Sequence, residues 1–212
     1  MDAIKTRDLV YIYPNGSKAL NGVNFNAKKG EKVVILGPNG AGKSTFFCNL
    51  NGVLMPTSGK VSIFDKVLDK SNLEEIRRTV GMVFQDPDDQ LFAPTVSDDI
   101  AFGPRNMGLD VDDVNKRVSW SLEALDISHL QDREPHRLSE GQKKLVAIAG
   151  ILAMDSDILV LDEPTANLDP RSSEEVLTLL DELNTEYDKT VIVSSHLIDS
   201  KAQWGDKFFV MD

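Results

Sequence analysis

The chain has 212 residues, 41% of them hydrophobic, enough for one sizeable core or one core with a small lobe. Lys+Arg 23 against Asp+Glu 34 gives a net charge of −11 with no dense basic run, which argues against a nucleic-acid partner. A single cysteine, Cys48, excludes an internal disulfide and suits a reducing cytoplasm; no apolar run reaches membrane-spanning length and residues 1–5 are no signal peptide, so work at a membrane is expected to require docking on another protein.

Residues 4–13 alternate enough to read as a strand, with Leu9, Tyr11 and Tyr13 on one face. Pro14-Asn15-Gly16 is a turn. Residues 19–27 form a second strand, with Val23 and Phe25 on one side, and Lys29-Gly30 turns the chain into a buried strand at 32–36. Gly37-Pro38-Asn39-Gly40-Ala41-Gly42-Lys43-Ser44-Thr45 follows and fits G-x-x-x-x-G-K-[ST], and residues 46–50 continue as a helix. The glycines let successive N–H groups point inward at phosphate oxygens, and the helix start adds its positive end. Lys43 supplies a charge for the β/γ-phosphates, and the Ser44 hydroxyl can ligate Mg²⁺. ATP and Mg²⁺ are therefore the expected ligands. A short strand at 60–64 completes what reads as an antiparallel layer around the start of a parallel sheet.

An apolar strand over 79–84 ends on Gln85. Residues 86–108 read as loop-rich and partly apolar. Val111, Val114, Val118, Leu122 and Leu125 recur at helical spacing, so 112–125 is an amphipathic helix. Ser139-Glu140-Gly141-Gln142 has capping-box spacing and opens a helix to about Ala153. Strands are expected at 157–162, 190–195 and 208–210, with a helix over 174–183. There are no repeats. The domain reading is one domain over 1–212: core and antiparallel lobe at 1–85 and 155–212, helical subdomain at about 86–154.

Four strands end on Gly37, Gln85, Asp162-Glu163 and His196, and ligands of open α/β sheets bind beyond the carboxyl ends of strands. These groups are expected to meet at the phosphate loop. Asp162 can hold Mg²⁺ through its water shell, and Glu163 can orient and deprotonate the attacking water. Gln85 can contact the metal and that water; His196 can hydrogen-bond the γ-phosphate and the water.

With these residues in place the chain resembles, over essentially its whole length, the ATP-binding subunit of an ABC transporter. Leu138-Ser139-Glu140-Gly141-Gln142 is similar to the family signature Leu-Ser-Gly-Gly-Gln; Leu161-Asp162-Glu163-Pro164-Thr165 and Ala166-Asn167-Leu168-Asp169 resemble the magnesium, catalytic-acid and dimer-contact segments. The resemblance implies an α/β P-loop NTPase with a RecA-like parallel-sheet core, an N-terminal antiparallel β layer and an inserted helical subdomain. It implies two subunits, identical or paralogous, sandwiching two ATP molecules head to tail, with Ser139, Glu140, Gly141 and Gln142 facing the partner's ATP and Asp169 the opposing phosphate loop. It also implies an aromatic on adenine; Tyr13 fits, Tyr11 less well. Glu140 replaces a glycine, and it is expected to turn away from the nucleotide, where a first-turn carboxylate favours the helix by about 0.3–1 kcal/mol.

A narrower resemblance rests on residues 84–92 (Phe84-Gln85-Asp86-Pro87-Asp88-Asp89-Gln90-Leu91-Phe92) and 99–104 (Asp99-Ile100-Ala101-Phe102-Gly103-Pro104). These are similar to ATPases of energy-coupling-factor importers. Gln142-Lys143-Lys144 and Val146-Ala147-Ile148-Ala149-Gly150 are similar to the cobalt/nickel branch. That implies a peripheral subunit on the cytoplasmic membrane face, partnered by a transmembrane coupling component, which Leu91, Phe92 and Phe102 would contact, and by a substrate-specificity component. The imported metal would be cargo and never touch this subunit. A vitamin importer of the same type, or a soluble non-transport ABC ATPase, is the alternative. Relatives continue past the equivalent of Asp212 into a further hairpin and tail.

Overall fold

A computed structural model describes residues 1–196 and 204–212. Its elements are strands β1 (Asp2–Ile12), β2 (Lys18–Lys28) and β3 (Lys32–Leu36), helix α1 (Lys43–Leu50), strands β4 (Ser58–Ile63) and β5 (Lys66–Val67), helix α2 (Leu73–Thr79), strand β6 (Val80–Val83), helices α3 (Val96–Asn106), α4 (Val111–Ala124) and α5 (Glu140–Ala153), strand β7 (Ile158–Leu161), helix α6 (Pro170–Thr185), and strands β8 (Thr190–Ser195) and β9 (Lys207–Val210). The chain divides into two compact units. One takes residues 1–82, 157–163 and 182–212; the other takes 83–156 and 164–181.

The first unit carries both sheets. One is antiparallel, in the order β2-β1-β4-β5; the other runs β6-β7-β8-β3-β9, with β3 parallel to β8 and β9, and β7 parallel to β8. Parallel strands are covered on both faces and so read as unbroken apolar runs. Ile158, Leu159, Val160 and Leu161 are all fully buried, as are Val33, Ile35, Val191 and Ile192. Phe25 of β2 meets Phe46 of α1 and Phe209 of β9 edge-to-face at 5.3 and 5.2 Å, so one aromatic cluster links the antiparallel layer, the first helix and the parallel sheet. Leu9 and Tyr11 are buried, but Tyr13 lies one residue past β1 and is 37% exposed, so it does not share their packed face.

The second unit is helical. Residues 86–108 are more ordered than their composition predicts. They hold a 3₁₀ turn, Pro87–Asp89, and the helix α3. Thr95 caps α3 by accepting from Asp98 N–H, and Pro104 sits inside the helix near its end. Gly103 is a contact residue rather than a turn: a Cβ there would stand 2.5 Å from Met154 Cγ. The amphipathic helix starts at Val111, capped by the Asp110 carboxylate on Asp113 N–H; Val114, Val118, Leu122 and Leu125 are buried, whereas Val111 is 74% exposed. The helix expected at 174–183 is longer, because Pro170, with its φ set for the first turn, and Asp169, accepting from Arg171 and Ser172 N–H, start it early. Among the described residues, no helix is long and apolar enough to cross a membrane.

Candidate active site

β3 delivers the chain at Leu36 into the phosphate loop, whose tip, Pro38, Asn39 and Gly40, is exposed. Two glycines are dictated by geometry. A Cβ on Gly37 would stand 2.4 Å from Met211 O; Gly42, at φ 91, would place one 2.6 Å from Ala19 O. Gly42 also occupies the N-cap of α1 and contributes no side-chain hydrogen bond there. The helix therefore begins without a side-chain acceptor on its first amides, which leaves them open to an anion.

Lys43, at the first position of α1, is 5% exposed and folds back over its own loop. Its Nζ donates to Gly37 O at 2.8 Å and Pro38 O at 3.1 Å, and stands 3.4 Å from Glu163 Oε1. Glu163 is 7% exposed and has φ 45, a left-handed backbone that costs a non-glycine residue on the order of 1–3 kcal/mol and is characteristic of functional positions. Its second oxygen, Oε2, stands 3.3 Å from His196 Nδ1. The strand ends thus assemble a lysine, a carboxylate and an imidazole in sequence. With Nδ1 turned to the carboxylate, Nε2 is the nitrogen left to face a ligand.

Asp162 is 3% exposed. Ser194 donates its hydroxyl to Asp162 Oδ1 at 2.5 Å and accepts Glu163 N–H at 2.8 Å. One serine on β8 therefore fixes both acids after β7. Ser194 was not singled out in the sequence; the signal was a hydroxyl at the end of an apolar strand, two residues before His196. The Asp162 charge also reaches Cys48, whose thiol is pushed up by burial first and by that carboxylate second. Tyr13 contacts the loop through its hydroxyl, 2.8 Å from Thr45 Oγ1, and stands edge-on to Tyr11 at 4.9 Å.

Ser44 follows Lys43 on α1 and is exposed. Its hydroxyl and the Asp162 carboxylate are hard oxygen donors suited to Mg²⁺, which takes one or two protein ligands and fills its shell with phosphate and water. No group of three or more His, Cys, Asp or Glu that could hold a metal occurs among the described residues.

Gln85, the signature segment and Asp169 belong to the helical unit. Gln85 is exposed, and its carbonyl accepts from Lys144 Nζ at 3.3 Å. Ser139 caps α5 in a full capping box: it accepts Gln142 N–H at 3.3 Å, and Gln142 Oε1 accepts Ser139 N–H at 3.1 Å. Gly141 has open space beside it, since a Cβ there would meet nothing nearer than 3.8 Å. Glu140 pairs with Lys143 at 3.2 Å, and Lys143 also holds Asp88 at 2.8 Å. The Asp88 hydrogen bond, more than that of Glu140, raises the Lys143 ammonium above its usual range. Asp169 is exposed; the Ser172 hydroxyl and the α6 amides hold its carboxyl below the usual range.

Comparison with known proteins gives a consistent picture. The ABC transporter family profile matches residues 20–166. The energy-coupling factor transporter ATP-binding protein EcfA of Methanocaldococcus jannaschii is 52% identical over all of this chain and 76% of its own length. Its namesake in Carboxydothermus hydrogenoformans is 52% identical over 99% of this chain and 77% of its own. Among solved structures, cbiO1 of Clostridium perfringens, part of the ABC transporter complex cbiONQ, is 46% identical with a TM-score of 0.90, covering 100% of this chain and 85% of that one. An ATP-binding cassette solved as a dimer in a post-hydrolysis state with ADP and Pi is 32% identical with a TM-score of 0.86, covering 99% of this chain and 94% of that one.

Proposed function

The chain belongs to the ABC transporter family and is an ATPase, and from that premise we propose that it powers an energy-coupling-factor importer of a transition-metal ion, cobalt or nickel. The observation that carries the ATPase chemistry is the line formed at the strand ends by buried Lys43 and Glu163 and the exposed His196. The importer type is supported by the identity to the EcfA proteins and cbiO1. The metal cargo is supported by the residues 142–150 that resemble the cobalt/nickel branch.

ATP enters with its phosphates on the amides at residues 37–45, while Tyr13 takes the adenine. Lys43 exchanges the Gly37 and Pro38 carbonyls for phosphate oxygens, and that exchange loosens its hold on Glu163. Glu163 then accepts a proton from the attacking water, and His196, oriented by the same carboxylate, presents Nε2 to the terminal phosphate. Mg²⁺ would be held by Ser44 and Asp162, with Gln85 the further contact expected from the sequence, and would supply charge neutralisation on the phosphates. A second copy or a paralogue contributes the signature residues Ser139, Gly141 and Gln142 to the same ATP, with the Glu140 carboxylate turned aside, and Asp169 to the opposite loop, so ATP pairs the subunits and hydrolysis parts them. The helical subdomain expected at about residues 86–154 receives the transmembrane coupling component, which holds the subunit peripherally on the cytoplasmic face of the membrane; a separate component selects the cargo.

Glu163→Gln tests the centre of this reading. The variant should bind Mg-ATP and form a stable dimer by analytical ultracentrifugation while turnover falls about 10²–10⁴-fold, the usual worth of a positioned base. A variant that still hydrolyses ATP, or that never enlarges with ATP even beside its membrane partners, sinks the mechanism. For cargo, cells expressing the whole transporter should accumulate Co²⁺ or Ni²⁺; vitamin uptake instead would overturn the metal assignment.

A further inference from the structure

Glu140 occupies the first position of α5, between Ser139 and Gly141, where the signature pattern has glycine. Helical side chains lean toward the N-terminus, so an unrestrained Glu140 carboxylate would sweep the space in front of the first turn. A triphosphate arriving there would meet a like charge. The structure shows what restrains it. Lys143, one turn along, has a side chain only 9% exposed, while those of Glu140 and Asp88 are 47% and 60% exposed. Its ammonium stands 3.2 Å from Glu140 Oε1 and 2.8 Å from Asp88, and such charge-assisted bonds are the strong ones. Asp88 sits in the 3₁₀ turn Pro87–Asp89, three residues past Gln85. The two carboxylates and one ammonium together carry one negative charge rather than two.

We propose that Lys143 is a positioning residue: anchored by Asp88, it draws the Glu140 carboxylate back along α5 and half-neutralises the pair, so that Ser139 and Gly141 can receive the triphosphate of a second copy. This rests on the reading that α5 meets a partner's ATP. A lysine there also makes the glutamate tolerable at a position where the signature has none, and it ties the turn after Gln85 to the helix that would touch that nucleotide.

The test measures the Mg-ATP concentration for half-maximal dimerisation in the Glu163→Gln protein, alone and with Lys143→Met, Glu140→Gly or both. Lys143→Met should raise that concentration about tenfold, equivalent to ~1.4 kcal/mol, and the defect should shrink as salt screens the freed carboxylate. The double variant should return to the value of Glu140→Gly, because without the carboxylate nothing needs holding. An unchanged requirement in Lys143→Met, or a defect that persists in the double variant, overturns the proposal and leaves Lys143 a packing residue. If Lys143→Met does not fold, Lys143→Gln, uncharged but still a hydrogen-bond donor, carries the same expectations. Failure of the Glu163→Gln protein itself to dimerise is a separate result; it brings down the paired-copy reading, and this proposal with it.

Discussion

Two helix N-termini in this chain are candidates for the same kind of anion, and they are built in opposite ways. α1 starts on Gly42 with no side-chain cap, and the charged group nearest its first turn is the buried Lys43. α5 starts on Ser139 with a reciprocal capping box that satisfies two backbone donors, and the charged group in its first turn is Glu140. The uncapped terminus depends on phosphate to complete it. The capped terminus is complete by itself and can afford an intermittent ligand. The difference suits a cycle in which one surface keeps the nucleotide and the other meets it only when two copies pair.

The largest break of this comparison comes at α1. Lys43→Met removes the cation from the loop and leaves Glu163 buried without it, so binding and stability should fall together. Turnover should drop by about 10²–10³, in line with loss of one preorganised charge-stabilising group. Isothermal titration with Mg-ATP and a thermal melt check the two halves. Retained affinity would mean that the amides alone carry the phosphates.

Gly141→Ala separates the same two quantities at α5. Alanine in place of this first-turn glycine should stabilise by at most the ~0.5–1 kcal/mol of a mid-helix exchange, raising Tm slightly at this chain length. The chain itself has room for the methyl group. Yet ATP-driven dimerisation of the Glu163→Gln protein should weaken about tenfold, ~1.4 kcal/mol, because the methyl group occupies the approach to the first turn. A variant that is both more stable and equally able to dimerise would show that the glycine serves no ligand.

The legibility of these sites followed their physics. The capping box was readable because it is a local rule: Ser139 and Gln142 interact three residues apart whatever surrounds them. The acids after β7 were readable because a fully buried strand leaves few places for charge. Ser194 was not, because its role depends on the pairing of β7 with β8, in which Leu161 lies opposite Val193 and the next hydroxyl comes level with the acids. The helix α2 left no periodic signal, since Ile76 is its one buried residue. α3 was obscured by Gly103-Pro104, a turn signal locally, which here serves packing on Met154. The left-handed backbone of Glu163 has no sequence signature at all.

The smallest expected effect sharpens the comparison at the loop's edge. Tyr13 can serve nucleotide in two ways. The residue is 37% exposed, so its ring can stack on adenine, and its hydroxyl, 2.8 Å from Thr45, can brace α1 just past the phosphate lysine. Phenylalanine keeps the first and loses the second; alanine loses both. If stacking dominates, Tyr13→Phe should hold the ATP Kd within about twofold, and Tyr13→Ala should weaken it about tenfold, within the ~1–3 kcal/mol range of base–aromatic stacking. Because every base offers a π-face, the alanine variant should lose GTP in the same proportion as ATP. Equal losses in both variants would assign the effect to the Thr45 contact instead, and α1 would then owe its uncapped start to a brace supplied from the strand layer.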